Sequence, residues 1–133
     1  MRWMAPELLC PADDSKGNPT MQSDVYSFGS IMLQVRHLRV YLCFSTVCTY
    51  WHHGKILTGS TPYHYLRRNE QVVLAVALGT RPKRPAEAAV TDRRWEFMEW
   101  CWSPVDTPRP RPCSDEIIEF IGKELAEIMA VEV

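Results

Sequence analysis

Apolar residues fall along the chain in blocks at helical spacing, separated by stretches rich in proline, glycine and charge. The most strongly patterned block runs over 24–34, where Val25, Phe28 and Met32 recur at three- and four-residue intervals. That interval puts them on one face of a helix. The other side, with Tyr26, Ser27, Ser30 and Ile31, is hardly more polar, so the whole circumference suits burial. A helix apolar nearly all round belongs inside a core, not on its surface. Ser23 and Asp24 stand where an N-cap is expected, with side-chain oxygens able to accept from the free N–H groups of the first turn.

The remaining blocks continue the helical pattern. Residues 10–22 hold two prolines, Gly17, Asn18 and several charges, and form a loop. Turn chemistry over 58–63 precedes a helix that Asn69 can cap, with Val72, Val73 and Val76 as its apolar positions and Gly79 as its end. Thr91 or Asp92 opens the next, with Trp95, Met98, Cys101 and Trp102 on one face. Four prolines between Ser103 and Pro112 make a rigid connector. The last helix starts near Ser114, where Asp115 and Glu116 favour the positive end of its dipole. Ile117, Ile118, Ile121, Leu125, Ile128 and Met129 give it an apolar stripe. The expected fold class is mainly α.

Composition narrows the classes of function. The 133 residues amount to one domain or part of one, and 46% hydrophobic content supports a core. A net charge of −1 argues against a general nucleic-acid binder. Five cysteines form no paired spacing and no secretory signal opens the chain, which fits reduced thiols in the cytoplasm. The most apolar run, residues 40–51, is shorter than the roughly 20 residues of a membrane helix. No membrane and no nucleic-acid partner is expected.

Short motifs then carry the functional content. Arg2-Trp3-Met4-Ala5-Pro6-Glu7 opens the chain, followed by Asp24-Val25-Tyr26-Ser27-Phe28-Gly29. Thr58-Gly59-Ser60-Thr61-Pro62-Tyr63, Cys101-Trp102 and Pro110-Arg111-Pro112 come after them in order. In that order and at those spacings the chain resembles the C-terminal lobe of a eukaryotic protein kinase of the tyrosine-kinase-like branch. The resemblance covers residues 1–133 apart from about 35–55, and it implies an incomplete domain: the N-lobe and the catalytic-loop segment precede this region in the family.

The resemblance also assigns roles. It makes residues 1–9 the end of an activation segment, whose backbone forms part of the surface for a protein substrate. Glu7 then pairs with Arg111, a planar fork that can bond both carboxylate oxygens; the alternative is two unrelated surface charges. Asp24 braces the catalytic loop, against the alternative of a plain N-cap, and Trp102 is a packing residue. Arg2, Trp3, Met4, Arg67 and Arg68 form a possible surface for a substrate or regulatory protein. Arg67 and Arg68 could meet an acidic partner or simply start a solvated helix. The basic stretch Pro82-Lys83-Arg84-Pro85 is a linker in the family, against an SH3-binding alternative.

Phosphoryl transfer needs a glycine-rich loop, a strand lysine, a His-Arg-Asp loop and an Asp-Phe-Gly aspartate. None stands in these 133 residues. No catalytic, cofactor-binding or metal residue is therefore assigned, and ATP with magnesium is expected of the parent kinase only. The parent's acceptor is serine or threonine, with tyrosine open. The alternative is a catalytically dead, kinase-homologous binding or scaffold module, or a fragment without stable function.

Residues 35–55 break the pattern. They place four aromatics, two cysteines and three histidines inside the central helix. Joining Gln34 to Ile56 instead gives a continuous helix that ends at Gly59. The expectation is an irregular insert translated from a retained intron. Cys43, Cys48, His52 and His53 offer zinc ligands, but their loose spacing does not match a structural site.

Overall fold

In the computed structural model, the described residues are 2–11, 17–34, 61–85 and 90–131. They contain five helices and no strand. The helices are α1 (Pro6–Leu9), α2 (Met21–Gln34), α3 (Asn69–Ala77), α4 (Asp92–Cys101) and α5 (Ser114–Val131). The mainly α class expected from periodicity is the class observed. The supposed insert and its candidate zinc ligands lie outside the described residues.

The centre is the crossing of α2 and α4. Tyr26, Leu33, Met98, Trp102, Val90 and Ala5 form one buried cluster, and Val25, Phe97 and Cys101 form a second beside it. The two helices approach closely because position 29 has no side chain. A Cβ there would lie 2.6 Å from Cys101 Cβ and 3.1 Å from Trp102 Nε1. Glycine inside a helix costs about 0.5–1 kcal/mol against alanine; here it admits the neighbouring backbone.

The start of α2 differs from expectation. Ser23 and Asp24 are not its N-cap, because the helix begins at Met21. Thr20 and Ser23 bond reciprocally: Ser23 N–H donates to Thr20 Oγ1 at 3.2 Å and Thr20 N–H to Ser23 Oγ at 2.9 Å. This is a capping box with a hydroxyl in both roles. Ser23 is buried and Asp24 is exposed within the first turn. Ile31 is likewise 49% exposed rather than buried.

The other helices end where their caps dictate. Asn69 is the first residue of α3 and not its cap; Arg68 holds that position, with its N–H donating to Gln71 Oε1. At the far end Gly79 takes φ +72°. Gly79 N–H donates to Val76 O at 2.9 Å and Thr80 N–H to Ala75 O at 2.9 Å, a Schellman closure that needs the left-handed residue. Thr91, not Asp92, caps α4, its hydroxyl accepting from Arg94 N–H.

Helix α5 packs through the ends of its side chains. Phe120 stacks on Phe97 at 3.8 Å between centroids. Arg93 and Arg94 pair with Glu127 and Glu124. The expected stripe is only partly used: Ile117 is half-buried, while Ile118 and Met129 are 67% and 71% exposed.

Candidate functional site

Three separated segments meet at the Arg111 guanidinium. The proline-rich connector delivers this side chain into the interior, where it is fully enclosed while Glu7 keeps 31% of its side chain exposed. Nη1 donates to Glu7 Oε1 at 2.6 Å and Nη2 to Glu7 Oε2 at 3.0 Å. Nη1 also donates to Gln22 O at 2.7 Å and Nε to Ser103 O at 2.7 Å. The guanidinium carbon lies 5.1 Å from the Tyr26 ring centroid. A buried arginine needs this degree of satisfaction, since an unpaired interior charge costs several kcal/mol. The node fixes α1 and the N-terminus of α2 to the connector after α4.

A second node is made of hydroxyls. Tyr63 donates to Thr80 O at 2.6 Å, and its oxygen lies 3.3 Å from that of Tyr26, which can then donate to it. Burial raises both phenols above their ordinary range, and for Tyr63 the neighbouring Tyr26 adds to it. Tyr63 has φ +57°, a left-handed conformation costing an L-residue with a side chain roughly 1–2 kcal/mol. Arg2 contributes the compensation. Its Nη1 donates to Pro62 O and Tyr63 O at 3.1 and 2.7 Å, and its Nη2 to Leu66 O at 2.9 Å.

These contacts locate the residues singled out in the sequence. Ala5 is fully buried and Pro6 opens α1. Trp102 is buried, its Nε1 donating to Ser30 Oγ at 3.2 Å, and its ring meets Trp95 edge-on at 5.6 Å. Asp24 stands apart from the Arg111 node, exposed on α2. Arg2, expected on a partner surface, instead turns its guanidinium onto the 62–66 turn. Trp3 is half-buried, donating through Nε1 to Gln34 Oε1 at 2.8 Å, with its carbonyl accepting from Ser27 Oγ at 2.9 Å. Met4 is half-buried, and Arg67 and Arg68 are exposed at the start of α3.

The basic proline stretch is docked onto the fold. Pro82 is buried, Arg84 Nη2 donates to Val90 O at 2.6 Å, and Lys83 Nζ lies 4.8 Å from the Tyr65 ring centroid. A polyproline ligand needs its prolines free, so the linker assignment suits this geometry. The hydroxyl node and the role of Ser30 had no sequence signal. Gly29 did have one, as a lone glycine inside an apolar helical pattern.

Among the described residues, no three His, Cys, Asp or Glu side chains come together as a metal site. No helix among the described residues is long and apolar enough to cross a membrane.

No protein-family model matches the chain. Several curated proteins do. The chain is 30% identical over 129 residues to serine/threonine-protein kinase STY17 of Arabidopsis thaliana, a match covering 96% of this chain and 17% of that protein. It is 28% identical over 122 residues to vascular endothelial growth factor receptor 3 of Mus musculus, covering 92% of this chain and 7% of the receptor. A third similarity, 25% over 127 residues, is to inactive tyrosine-protein kinase 7 of the same species, covering 96% of this chain and 9% of that protein. Over nearly its whole length, this helical chain therefore resembles a limited segment of protein kinases.

Proposed function

We propose that these residues are the substrate-side helical lobe of a protein kinase domain, from the end of the activation segment to the final helix. The observation that supports this best is the bidentate Glu7–Arg111 pair, joining residues 104 positions apart. It ties an Ala-Pro-Glu turn to the base of a central helix. In this reading the node holds the backbone of residues 2–5 as a platform for a protein substrate. ATP and magnesium are bound, and phosphate is transferred to serine, threonine or tyrosine, by sequence that does not stand among these 133 residues. Asp24, exposed near the start of α2, is left available to brace such a catalytic segment. The location is cytoplasmic. Residues 35–55 are a retained intron absent from the working kinase.

The test begins with the transcript. The expected messenger encodes His-Arg-Asp and Asp-Phe-Gly upstream of Ala5 and joins Gln34 to Ile56. Its purified product should phosphorylate a generic protein acceptor with ATP and magnesium, and Glu7→Ala should reduce that activity. A full-length product that contains both motifs yet transfers no phosphate would sink the catalytic reading.

A second reading draws on one finding. A relative at 25% identity is named an inactive kinase, so the same lobe can belong to a non-catalytic binding module. A transcript lacking His-Arg-Asp, with a product that binds proteins but transfers no phosphate, would select it.

A further inference from the structure

Between Ser103 and Arg111 the connector runs over the surface. Pro104, Val105, Asp106, Pro108, Arg109 and Pro110 are exposed, and Thr107 is half-buried among them. The Thr107 hydroxyl has one hydrogen to give and lies 2.8 Å from Arg109 O and 3.0 Å from Pro104 O. That hydrogen closes the turn. Both ends of the turn are tied to the core, since Ser103 O accepts from Arg111 Nε and Pro110 O accepts from Trp100 Nε1 at 2.8 Å. The Arg109 guanidinium carbon lies 4.2 Å from the Trp100 ring centroid.

Three hydroxyl residues precede a proline in this chain, Thr61, Ser103 and Thr107. Proline offers no N–H and holds the residue before it in extended backbone, the form in which an acceptor lies along an enzyme cleft. The three are not equivalent. Pro62 is buried and its carbonyl accepts from Arg2. Ser103 is pinned twice, its N–H donating to Trp100 O at 3.1 Å and its carbonyl accepting from Arg111. Hydroxyl residues settle in turns for geometric reasons alone, so the exposure of the residues on both sides is what singles out Thr107.

We infer that Thr107 is a phosphorylation site for a separate protein kinase that accepts proline after the acceptor, and that the phosphate opens the 104–109 turn. The step forms a bond from Thr107 Oγ to the γ-phosphorus of a nucleoside triphosphate. The bond to the diphosphate leaving group breaks, and the hydroxyl proton passes to a base of that enzyme. The product oxygen has no hydrogen, so Arg109 O and Pro104 O lose their donor and face a group of charge about −1.5 to −2. Asp106 adds a like charge beside it. The phosphate attracts the Arg109 guanidinium, two residues on, away from the Trp100 ring. This treats the chain as a substrate and does not need the reading of its own lobe.

The test incubates the 133-residue chain with a proline-directed protein kinase, ATP and magnesium, and maps phosphate by mass spectrometry. Thr107 should be labelled roughly tenfold faster than Thr61 or Ser103, because those sites need local opening first. Short peptides covering 58–66 and 100–112 should lose that preference. Thr107→Val keeps the shape without the hydroxyl; it should take no phosphate at this position and melt a few degrees below the parent. The phosphorylated parent should melt lower as well, and its tryptophan fluorescence should be quenched more readily by acrylamide, a gain absent from Trp100→Phe. Preferred labelling of Thr61 or Ser103 in the full chain, no transfer to Thr107, or a phosphorylated chain that melts and quenches as the parent does would each overturn the inference.

Discussion

Two glycines inside helices divide the molecule. Gly29 on α2 lies against Cys101 and Trp102, whereas a Cβ at Gly122 on α5 would meet nothing within 4 Å. The first belongs to a region where backbones approach and Ser23, Ser30 and Arg111 are enclosed. The second belongs to a helix held by an aromatic stack and by arginine–glutamate pairs at its edge. In the central region stability rests on satisfied burial. At the α5 seam it rests on apolar contact and the half-buried Arg94–Glu124 pair, since the exposed Arg93–Glu127 pair contributes only about 0–1 kcal/mol.

The largest effect that separates the regions is expected at Glu7. Glu7→Ala leaves a fully enclosed guanidinium without its carboxylate and should cost about 3–5 kcal/mol, measured by urea unfolding. Adding Arg111→Met should recover part of that loss, because the buried charge is then gone. A double variant as unstable as the sum of two singles would contradict the central role given to this pair. At the seam, Arg93→Ala should cost about 1 kcal/mol or less.

Next comes Gly29→Ala. Its Cβ would meet the Cys101 Cβ at 2.6 Å, so the two helices must move apart, at about 1–3 kcal/mol. A variant that melts with the parent would show that the crossing is looser than described.

Alkaline pH should act chiefly on the buried thiol and phenols. Burial pushes the Cys101 thiol up to about 12 from an ordinary 9, and raises Tyr26 and Tyr63 above 10. The folded state therefore holds protons that the unfolded chain releases. Their contribution is intact below about pH 9 and is lost as pH rises beyond that, first through the thiol and then through the phenols. Unfolding midpoints should fall above pH 9. Tyr63→Phe should flatten the part of that fall above pH 10, while costing about 1 kcal/mol at neutral pH for the lost bond to Thr80 O. An identical alkaline slope in Tyr63→Phe would refute the assignment.

How much of this was legible in the sequence follows the same division. Helix positions rest on local periodicity and side-chain chemistry, so the Gly79 end and the Ser114 start could be located in advance and the α4 cap narrowed to Thr91 or Asp92. The α3 cap, by contrast, was expected one residue late, at Asn69. The Glu7–Arg111 encounter spans 104 positions, and no local rule joins them; it was expected through motif resemblance alone. The cap of α2 was misplaced because Ser23 acts with Thr20 as a reciprocal pair, which puts the helix start three residues before Asp24. Arg2 was placed on a possible partner surface through resemblance, and no local rule indicated that its guanidinium would bond carbonyls 60 residues away. The left-handed backbone of Tyr63 was equally hidden, since that conformation usually calls for glycine or asparagine.

The smallest expected effect has the opposite sign. Gly122 sits in the interior of α5 with open space around its missing Cβ. Alanine there restricts the unfolded chain and suits the helix, without displacing any neighbour. Gly122→Ala should therefore stabilise by about 0.5–1 kcal/mol. The same change at position 29 destabilises, so the pair of variants separates helix propensity from packing at constant chemistry. A destabilising Gly122→Ala would mean that a partner approaches that face of α5 in solution, placing a second close crossing where the described residues show none.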